Sequence, residues 1–341
     1  MLVICAKCGV KMEIHGCARF AEVIYCKNCA QKSSNIRCLI TGAAGFIGCH
    51  LHKSLREAGH VVVGIDNGFH PCRHPMAKEA EYADVRYFAD IEPFIKWADV
   101  VFHLAAQIHV DRSIRNPQET IDINVTGTSN ILEAARRHGK QVVFASSSEV
   151  YGTAQTDKIA ESHPLDGHSP YAASKAAGDR LCKAYYETYG LEVAILRSFN
   201  AFGPYQSDDS YGGAIAIFTR KALRGEPLLI YGDGLQERDY ISVNDAVAGY
   251  NLCLSAKAWG QPINVGSGDS IRIIDLAKMI VGLAADLTDK HSAIKHIQPR
   301  QGEVRRLCAD TSLAQSYGFV SIHNFESALA EYVRWYKETL Q

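Results

Sequence analysis

The stretch TGAAGFIG at residues 41–48 limits the fold of this 341-residue chain more than any other feature. It places Gly42, Gly45 and Gly48 three residues apart, after the apolar run IRCLITG and before the helix-forming run LHKSLREAGH. Glycines at this spacing let the backbone turn tightly and approach a pyrophosphate, whose charge then lies at the N-terminus of the following helix. The turn therefore predicts a βαβ unit that binds a dinucleotide.

Strands and helices alternate after this turn. The segments VVVGIDN, ADVVFHLAA and QVVFASSS are rich in β-branched and apolar residues, and the helix-forming run ETIDINVTGTSNILEAARRHG lies between the last two. Such alternation is typical of a parallel sheet that is covered by helices on both faces. We therefore predict an α/β fold with a Rossmann doubly wound parallel sheet.

Composition changes at both ends of this region. The short polar run QKSSN at 31–35 precedes it, and glycine, proline and tyrosine become more frequent from about residue 200, as in FNAFGPYQ, YGDG and NVGSG. These changes predict three parts: a small zinc-ribbon-like segment at 1–34, the Rossmann domain at 35–199, and a smaller C-terminal substrate-binding lobe at 200–341. We expect the last two parts to be partly interleaved.

Two CxxC pairs lie in the first segment. Each pair lets two thiolates reach one ion from a tight turn, and two pairs complete a tetrahedral site that suits zinc. A segment of this length cannot build a sufficient core without a metal, although unliganded thiols are the alternative. The predicted ligands of this structural zinc are Cys5, Cys8, Cys26 and Cys29.

The charge balance excludes some classes of partner. The chain has 36 Lys and Arg against 37 Asp and Glu, so no overall attraction to nucleic acid or anionic membrane is expected. It has no apolar run long enough to span a membrane and no signal-peptide pattern at its start, so we predict a cytoplasmic protein. Its 11 cysteines are then expected to be thiols or metal ligands.

Acidic and small residues follow the predicted strands. Asp66 lies 24 residues beyond Gly42, where a carboxylate can accept hydrogen bonds from a ribose diol and would repel a 2′-phosphate, so the pattern favours NAD over NADP. Asp90 and Ile91 end a third strand-like stretch and are predicted to meet the adenine. In HLAA, residues 103–106 end a fourth strand with small side chains beside the cofactor, and His103 is either a packing or a functional residue.

A proton-transfer group is predicted from the motifs SSSEVYG at 146–152 and YAASK at 171–175. Tyr171 and Lys175 are four residues apart and lie on one face of a helix. A lysine ammonium near a phenol stabilises the phenolate, so we expect the pKa of Tyr171 to fall toward the working pH. Ser147, at the end of the preceding strand, can bind the same substrate hydroxyl.

Together these motifs make residues 36–341 resemble the extended short-chain dehydrogenase/reductases that modify nucleotide sugars. The resemblance includes TGAAGFIG, HLAAQ, INVTGT, SSSEVYG, YAASK, FNAFGP, YGDGLQERDYISVNDA and QPRQGE. It implies that Tyr171 deprotonates the hexose 4-hydroxyl while NAD takes the C4 hydride, which leaves a 4-keto intermediate. It also implies a homodimer that pairs through the helices carrying YAASK and NILEAARR.

The resemblance extends the set of expected site residues. The cofactor set is Gly42, Gly45, Phe46, Ile47, Gly48, Asp66, Asn67, Asp90, Ile91, Leu104, Ala105, Ala106, Asn124, Tyr171 and Lys175. The catalytic set is Ser147, Glu149, Tyr171 and Lys175. The substrate set, for a nucleotide-diphosphate sugar, is Ser147, Ser148, Asn200, Arg238, Arg300 and Glu303.

Three reactions are open once the sugar is a 4-ketone. Hydride return to the other face gives a 4-epimer, whereas dehydratases of the family use adjacent Asp and Glu in a TDEVYG-like stretch to eliminate water. Here Ser148 replaces that aspartate and Glu149 retains the glutamate, while HVDRSI at 109–114 resembles the 4,6-dehydratases and YGGAIAIF at 211–218 resembles the epimerases. We predict a UDP-hexose 4-epimerase. A 4,6- or 5,6-dehydratase, a UDP-glucuronate decarboxylase and a non-catalytic NAD-binding scaffold are the alternatives.

Overall fold

The computed structural model of the protein describes residues 2–4, 11–13, 35–209, 212–254, 258–300 and 302–340. In the N-terminal segment, strand β1 (Leu2–Ile4) pairs antiparallel with strand β2 (Lys11–Glu13). The four predicted zinc ligands, Cys5, Cys8, Cys26 and Cys29, lie outside the described residues.

The centre of the described chain is a seven-stranded sheet in which every neighbouring pair is parallel. Within the sheet, strands that follow each other in the chain lie side by side, except where the order reverses between Arg37–Thr41 and Val100–His103. In folds of this kind ligands bind at such a point, beyond the carboxyl ends of the strands. The predicted Rossmann parallel sheet is therefore confirmed. In spatial order its strands are β12 (Pro262–Val265), β8 (Val193–Ser198), β7 (Gln141–Ala145), β6 (Val100–His103), β3 (Arg37–Thr41), β4 (Val61–Asp66) and β5 (Glu81–Tyr82).

Both faces of this sheet are buried. Along β3, Cys38 and Ile40 belong to one hydrophobic cluster, while Leu39 between them belongs to the cluster on the other face. This two-sided burial is why the strands are almost continuously apolar rather than alternating. The α-helices of the described chain are α1 (Phe46–Glu57), α2 (Phe88–Trp97), α3 (Val110–Arg115), α4 (Pro117–Ile121), α5 (Gly127–His138), α6 (Pro170–Tyr189), α7 (Ala214–Arg224), α8 (Val243–Leu252), α9 (Ile273–Thr288), α10 (Ser312–Ser316) and α11 (Phe325–Thr339). Shorter helical turns span Pro75–Glu79, Asp122–Thr126 and Ser148–Tyr151.

A second group of elements has its own core. Helices α7, α9 and α11 pack around a separate hydrophobic cluster that includes Phe218, Leu276 and Tyr332. Its strands are β9 (Asn200–Phe202), β10 (Leu228–Tyr231), β11 (Glu237–Ser242), β13 (Ser270–Arg272), β14 (Ile294–Ile297) and β15 (Arg306–Leu307). Strand β11 is the centre of this group, because β9, β13 and β15 all pair with it.

The chain crosses between the two groups several times. Strand β9 begins just after β8 but pairs with β11, whereas β12 returns to the edge of the central sheet beside β8. Helix α8 also returns and packs against α1 through the cluster on that face of the sheet. These crossings place the second group beside the carboxyl ends of the central strands. In the described part of the chain, no helix is long and apolar enough to cross a membrane.

Candidate active site

A cleft of ≈ 1580 Å³ lies beyond the carboxyl ends of the central strands and is bounded on its other side by the second group. Most of the predicted site residues line it, although they come from segments far apart in the chain. These lining residues are Gly42, Gly45, Phe46, Ile47, Gly48, Asp66, Asn67, Leu104, Ala105, Ala106, Ser147, Ser148, Glu149, Tyr171, Lys175, Asn200, Arg238, Arg300 and Glu303.

The glycine-rich turn is packed so tightly that side chains would not fit at Gly42 and Gly48. Glycines at these positions allow the tight turn that lets a backbone approach a pyrophosphate. Gly42 has φ +72°, and a Cβ atom there would lie 2.7 Å from the backbone nitrogen of Ala105. At Gly48 a Cβ atom would lie 2.2 Å from the carbonyl oxygen of Gly42. The tight turn thus leads directly into α1, whose N-terminus opens into the cleft. A pyrophosphate would meet that N-terminus.

Asp66 ends β4 beside this turn. Its carboxylate accepts hydrogen bonds from the backbone N–H groups of Ala44 at 3.1 Å and Gly68 at 2.8 Å. Burial raises the pKa of Asp66, and both of these hydrogen bonds oppose that rise. The carboxylate is therefore held in a fixed position at the rim of the cleft, where it would accept hydrogen bonds from ribose hydroxyls and repel a 2′-phosphate.

The prediction that Asp90 and Ile91 end a strand is wrong. Both lie in the first turns of α2, neither lines the cleft, and Ile91 is fully buried in the core. The third strand is instead the two-residue β5, and the residues that follow it include Asp84 and Val85. Both residues of β5 are exposed, so no apolar run marks this strand in the sequence.

Asp84 and Val85 were missed by the sequence reasoning. Val85 lines the cleft, and the Asp84 carboxylate accepts hydrogen bonds from Asn67 at 3.3 Å and from Arg86 at 2.6 Å. The bonds from Arg86 are the main reason why the pKa of Asp84 is lowered. In the sequence, Asp84 and Val85 directly follow AEYA as an acidic and an apolar residue. The strand before them, β5, is too short to be predicted.

Asn124 lies behind the cleft rather than in its wall. Its side-chain oxygen accepts from the backbone N–H of Gln107 at 2.8 Å, and its amide group donates to the carbonyl of Gln107 at 2.9 Å and to Ser174 at 2.8 Å. This side chain therefore fixes the loop after β6 against α6.

His103 is a packing residue, because its ring forms hydrogen bonds with Thr41 at 2.8 Å and with Thr128 at 3.1 Å, and burial lowers its pKa to about 3.

Helix α6 places Tyr171 and Lys175 in the cleft. Ser169 caps its N-terminus by accepting from the N–H of Ala172, and Pro170 occupies its first position. Because the two side chains are one turn apart, both reach the same wall. The Lys175 ammonium donates to the carbonyl oxygen of Ala145 at 2.8 Å, at the end of β7. Strand β7 and α6 are thus joined where Ser147 emerges.

The pKa of Tyr171 differs from the sequence-based expectation. Burial raises it to about 12, a hydrogen bond with Ser147 opposes that rise, and the charge of Glu149 adds to it. Burial also lowers the pKa of Lys175 to about 8, and its ammonium is engaged by the backbone of Ala145. Desolvation is therefore the largest influence, and the pKa of Tyr171 lies above its ordinary value instead of below it.

Glu149 lies in a helical turn that begins immediately after Ser147. Ser147 accepts from the backbone N–H of Glu149 at 3.2 Å, which fixes the start of this turn. Burial raises the pKa of the Glu149 carboxyl, while the charges of Arg238 and Arg300 oppose the rise. Next to it, Ser148 is only 3% exposed. The turn thus presents one carboxyl group, and a small hydroxyl beside it.

The second group contributes cationic side chains. Arg238, on β11, forms an ion pair of 2.8 Å with Glu303, and both side chains are largely buried. Arg300 lies 3.3 Å from Asp111 and 4.4 Å from the centre of the Tyr231 ring. Asp111 and Tyr231 line the cleft but were not predicted as site residues. Only the tertiary structure brings them to Arg300.

Asn200 is anchored at the start of β9, where its amide group donates to the carbonyl oxygen of Asp239 at 3.1 Å. The two arginines and this amide provide donors for a diphosphate on the side of the cleft opposite the dinucleotide turn. In the part of the chain that the structure describes, no group of three or more His, Cys, Asp or Glu side chains could hold a metal ion.

Comparisons with known proteins agree with this geometry. Residues 38–266 match the profile of the NAD dependent epimerase/dehydratase family. A UDP-N-acetyl-alpha-D-glucosaminuronate decarboxylase of Bacillus cytotoxicus is 35% identical, over 89% of this chain and 98% of that protein. A dTDP-glucose 4,6-dehydratase of Neisseria meningitidis serogroup B is 33% identical, over 87% of this chain and 92% of that protein.

Solved structures show the same similarity. The crystal structure of UDP-glucose 4-epimerase from Thermotoga maritima with UDP-glucose has a TM-score of 0.84 and 29% identity, and the match covers 90% of this chain and 100% of that one. The three relatives carry the names of three different reactions. Similarity over the whole chain therefore does not distinguish between these reactions, and the residues around Glu149 must do so.

Proposed function

Because the chain belongs to the NAD dependent epimerase/dehydratase family, we propose that it is a UDP-hexose 4-epimerase that acts through a 4-keto sugar. The observation that carries this proposal is the pair Ser148 and Glu149. Ser148 stands where the dehydratases of the family have an aspartate, so the turn after β7 offers one carboxyl group instead of two. Epimerisation needs no acid or base beyond those that oxidise and reduce C4.

Tyr171, Ser147 and Lys175 would each have a separate role in the oxidation and reduction of C4. Tyr171 would act in its phenolate form, which burial disfavours and the Ser147 hydrogen bond favours. The phenolate takes the proton from the 4-hydroxyl and later returns it, and Ser147 holds the same oxygen through a hydrogen bond. Lys175 fixes the end of β7 against α6 through the Ala145 carbonyl, which keeps Ser147 and Tyr171 aligned. NAD, when bound at the dinucleotide turn, would supply the hydride acceptor and donor for C4.

The cofactor would occupy the side of the cleft formed by the dinucleotide turn and Asp66. The lobe built from residues 200–341 would hold the nucleotide diphosphate, with Asn200, Arg238 and Arg300 as donors to the phosphates. Glu303 orients Arg238 through their ion pair of 2.8 Å. For epimerisation the sugar would have to turn within the cleft and present its other face for hydride return.

A dehydratase is the second candidate, and Glu149 is the observation that favours it. Its pKa is raised and its charge influences that of Tyr171, so it could act as an acid or base at C5 or C6. Products formed from UDP-glucose, UDP-N-acetylglucosamine, UDP-glucuronate, dTDP-glucose and GDP-mannose separate the reactions by mass and NMR. An unchanged mass with an altered H4 coupling supports the epimerase. A loss of about 18 mass units supports elimination, and a loss of about 44 supports decarboxylation.

We further propose that residues 1–34 form a zinc ribbon with Cys5, Cys8, Cys26 and Cys29 as ligands. The spacing of the two CxxC pairs supports this proposal. No residue of the proposed sugar site lies in this segment, so the zinc would be structural.

We also propose a homodimer that pairs through α5 and α6. These helices pack on each other, and Arg136 of α5 lies 5.1 Å from the ring centre of Tyr189 on α6. The Tyr189 side chain is 57% exposed, and Ile121 at the end of the neighbouring α4 is 43% exposed. These exposed apolar side chains, together with the resemblance to enzymes that pair through the same helices, support pairing with a second copy.

A further inference from the structure

Two cysteines meet beside the dinucleotide turn. Cys49 lies in the first turn of α1, directly after Gly48, and is fully buried. Cys72 lies in the loop that follows β4 and is half-buried. Their sulfur atoms are 3.4 Å apart although the residues are 23 positions apart in the chain.

The loop that carries Cys72 already rests on the dinucleotide turn. The backbone N–H of Cys72 donates to the carbonyl oxygen of Ala44 at 2.8 Å. Two residues later, the ring of His74 packs on the ring of His50, which is also on α1, at 5.3 Å between centres. Residues 69–73 of this loop line the cleft. The loop therefore forms part of the cleft wall beside the dinucleotide turn.

The geometry suits a disulfide. A disulfide has a sulfur–sulfur distance of about 2.05 Å, so the two atoms need to approach by about 1.4 Å. The hydrogen bond with Cys49 lowers the pKa of Cys72, whereas that bond and burial raise the pKa of Cys49. Cys72 is also the more exposed of the two, so its thiolate is the one that would attack a peroxide oxygen first.

We propose that Cys49 and Cys72 are a reversible thiol–disulfide site that, when oxidised, pins the loop at 67–74 to the dinucleotide turn and slows the exchange of NAD. This proposal needs NAD binding but does not depend on which sugar reaction the enzyme catalyses. A peroxide is the oxidant. It converts the Cys72 thiolate to a sulfenic acid, and the Cys49 sulfur then displaces the oxygen as water. The two thiols lose two electrons and the peroxide is reduced to water.

The test uses the full-length protein with NAD bound, treated with hydrogen peroxide and then alkylated. Peptide mapping by mass spectrometry should find a linked pair of peptides that contain Cys49 and Cys72. The exchange of bound NAD for isotopically labelled NAD should become slower by about tenfold or more, and dithiothreitol should reverse both changes.

Two variants give matched comparisons. Cys72→Ser should show the same exchange rate before and after peroxide, whereas Cys253→Ala, which removes a buried thiol elsewhere, should respond like the natural protein. For each protein, the rate of NAD exchange after peroxide is compared with its own rate before peroxide. A variant that exchanges NAD at a different rate from the start therefore does not affect the comparison. Oxidation of Cys72 to sulfinic acid with no linked peptide in the natural protein would overturn the proposal. So would a linked peptide with an unchanged rate of NAD exchange.

Discussion

Tyr171 and Glu149 interact electrostatically within the cleft, and the carboxylate opposes ionisation of the phenol. Burial is the larger cause, and together they raise the pKa of Tyr171 to about 12. In turn, burial raises the pKa of Glu149, while Arg238 and Arg300 oppose that rise. The charge of Glu149 thus makes Tyr171 harder to ionise, which by itself does not help a reaction in which Tyr171 is the proposed base. Whether Glu149 has a chemical role of its own therefore separates the epimerase from the dehydratase.

Replacement of Glu149 by Gln tests this role. An epimerase needs no proton transfer from Glu149, so we expect kcat to fall by less than about tenfold, which is about 1.4 kcal/mol. If the enzyme eliminates water, the loss of an acid or base should cost about 10² to 10⁴. The rate and the product mass are measured together, with Glu187→Gln on the exposed side of α6 as the control. A severe loss, in an enzyme whose product is about 18 mass units lighter than its substrate, would contradict the epimerase.

Tyr171→Phe should be severe under either reaction, because both begin by removing the proton of the 4-hydroxyl. We expect kcat to fall by about 10² to 10⁴ while the protein still binds NAD. Tyr189→Phe is the matched control, since Tyr189 lies on the same helix but is 57% exposed. Steady-state turnover and NAD content give the two readouts. Turnover of Tyr171→Phe within tenfold of the natural enzyme would remove the phenol from the mechanism.

Lys175 should make stability depend on pH. Burial lowers its pKa from 10.5 to about 8 in the folded state. Between these two values the unfolded chain binds more protons than the folded one, so the contribution of Lys175 to the free energy of unfolding rises with pH. The free energy of unfolding of the natural protein minus that of Lys175→Met should therefore increase from pH 8 to 10.5. Urea unfolding at several pH values measures it, and a flat or falling difference would contradict the lowered pKa.

The zinc proposal predicts one metal ion per chain in protein purified without added metal. Elemental analysis gives the number directly, and Cys26→Ser should reduce it because three thiolates leave the site incomplete. Deletion of residues 1–34 should leave turnover of the sugar nucleotide within a few-fold, since the proposed site lies elsewhere. A natural protein without metal would refute the ribbon, and a folded but inactive truncation would show that the segment has a further role.

The proposed dimer is tested by light scattering at micromolar concentration. The expected mass is twice the 37.5 kDa of one chain. Tyr189→Glu should shift the equilibrium toward the monomer, because it removes an exposed aromatic ring from the proposed interface and adds a charge there. Tyr82→Glu is the control, as Tyr82 is also exposed but lies on β5, away from α5 and α6. A natural protein that is monomeric under these conditions would contradict the proposal.

The sequence by itself determined the dinucleotide turn, the parallel sheet and the placement of Tyr171 and Lys175 on one face of α6. These features depend on residues close in the chain: glycines three apart between a strand and a helix, apolar runs of strand length, and Tyr171 one helical turn from Lys175. Local steric and periodic constraints specify each of them, whatever the rest of the chain does. The sequence did not predict the position of the third strand, because β5 is too short and too exposed to leave an apolar pattern.

Only the tertiary structure decided which distant residues meet. Asn124 reaches Gln107 and Ser174 behind the cleft, Arg300 reaches Asp111, and Cys49 comes within 3.4 Å of Cys72. It also decided the pKa of Tyr171, because the burial of this side chain depends on how distant segments pack around it and not on the spacing of Tyr171 and Lys175. Contacts between segments and the loss of water that they cause are properties of the packed chain, and no local pattern records them.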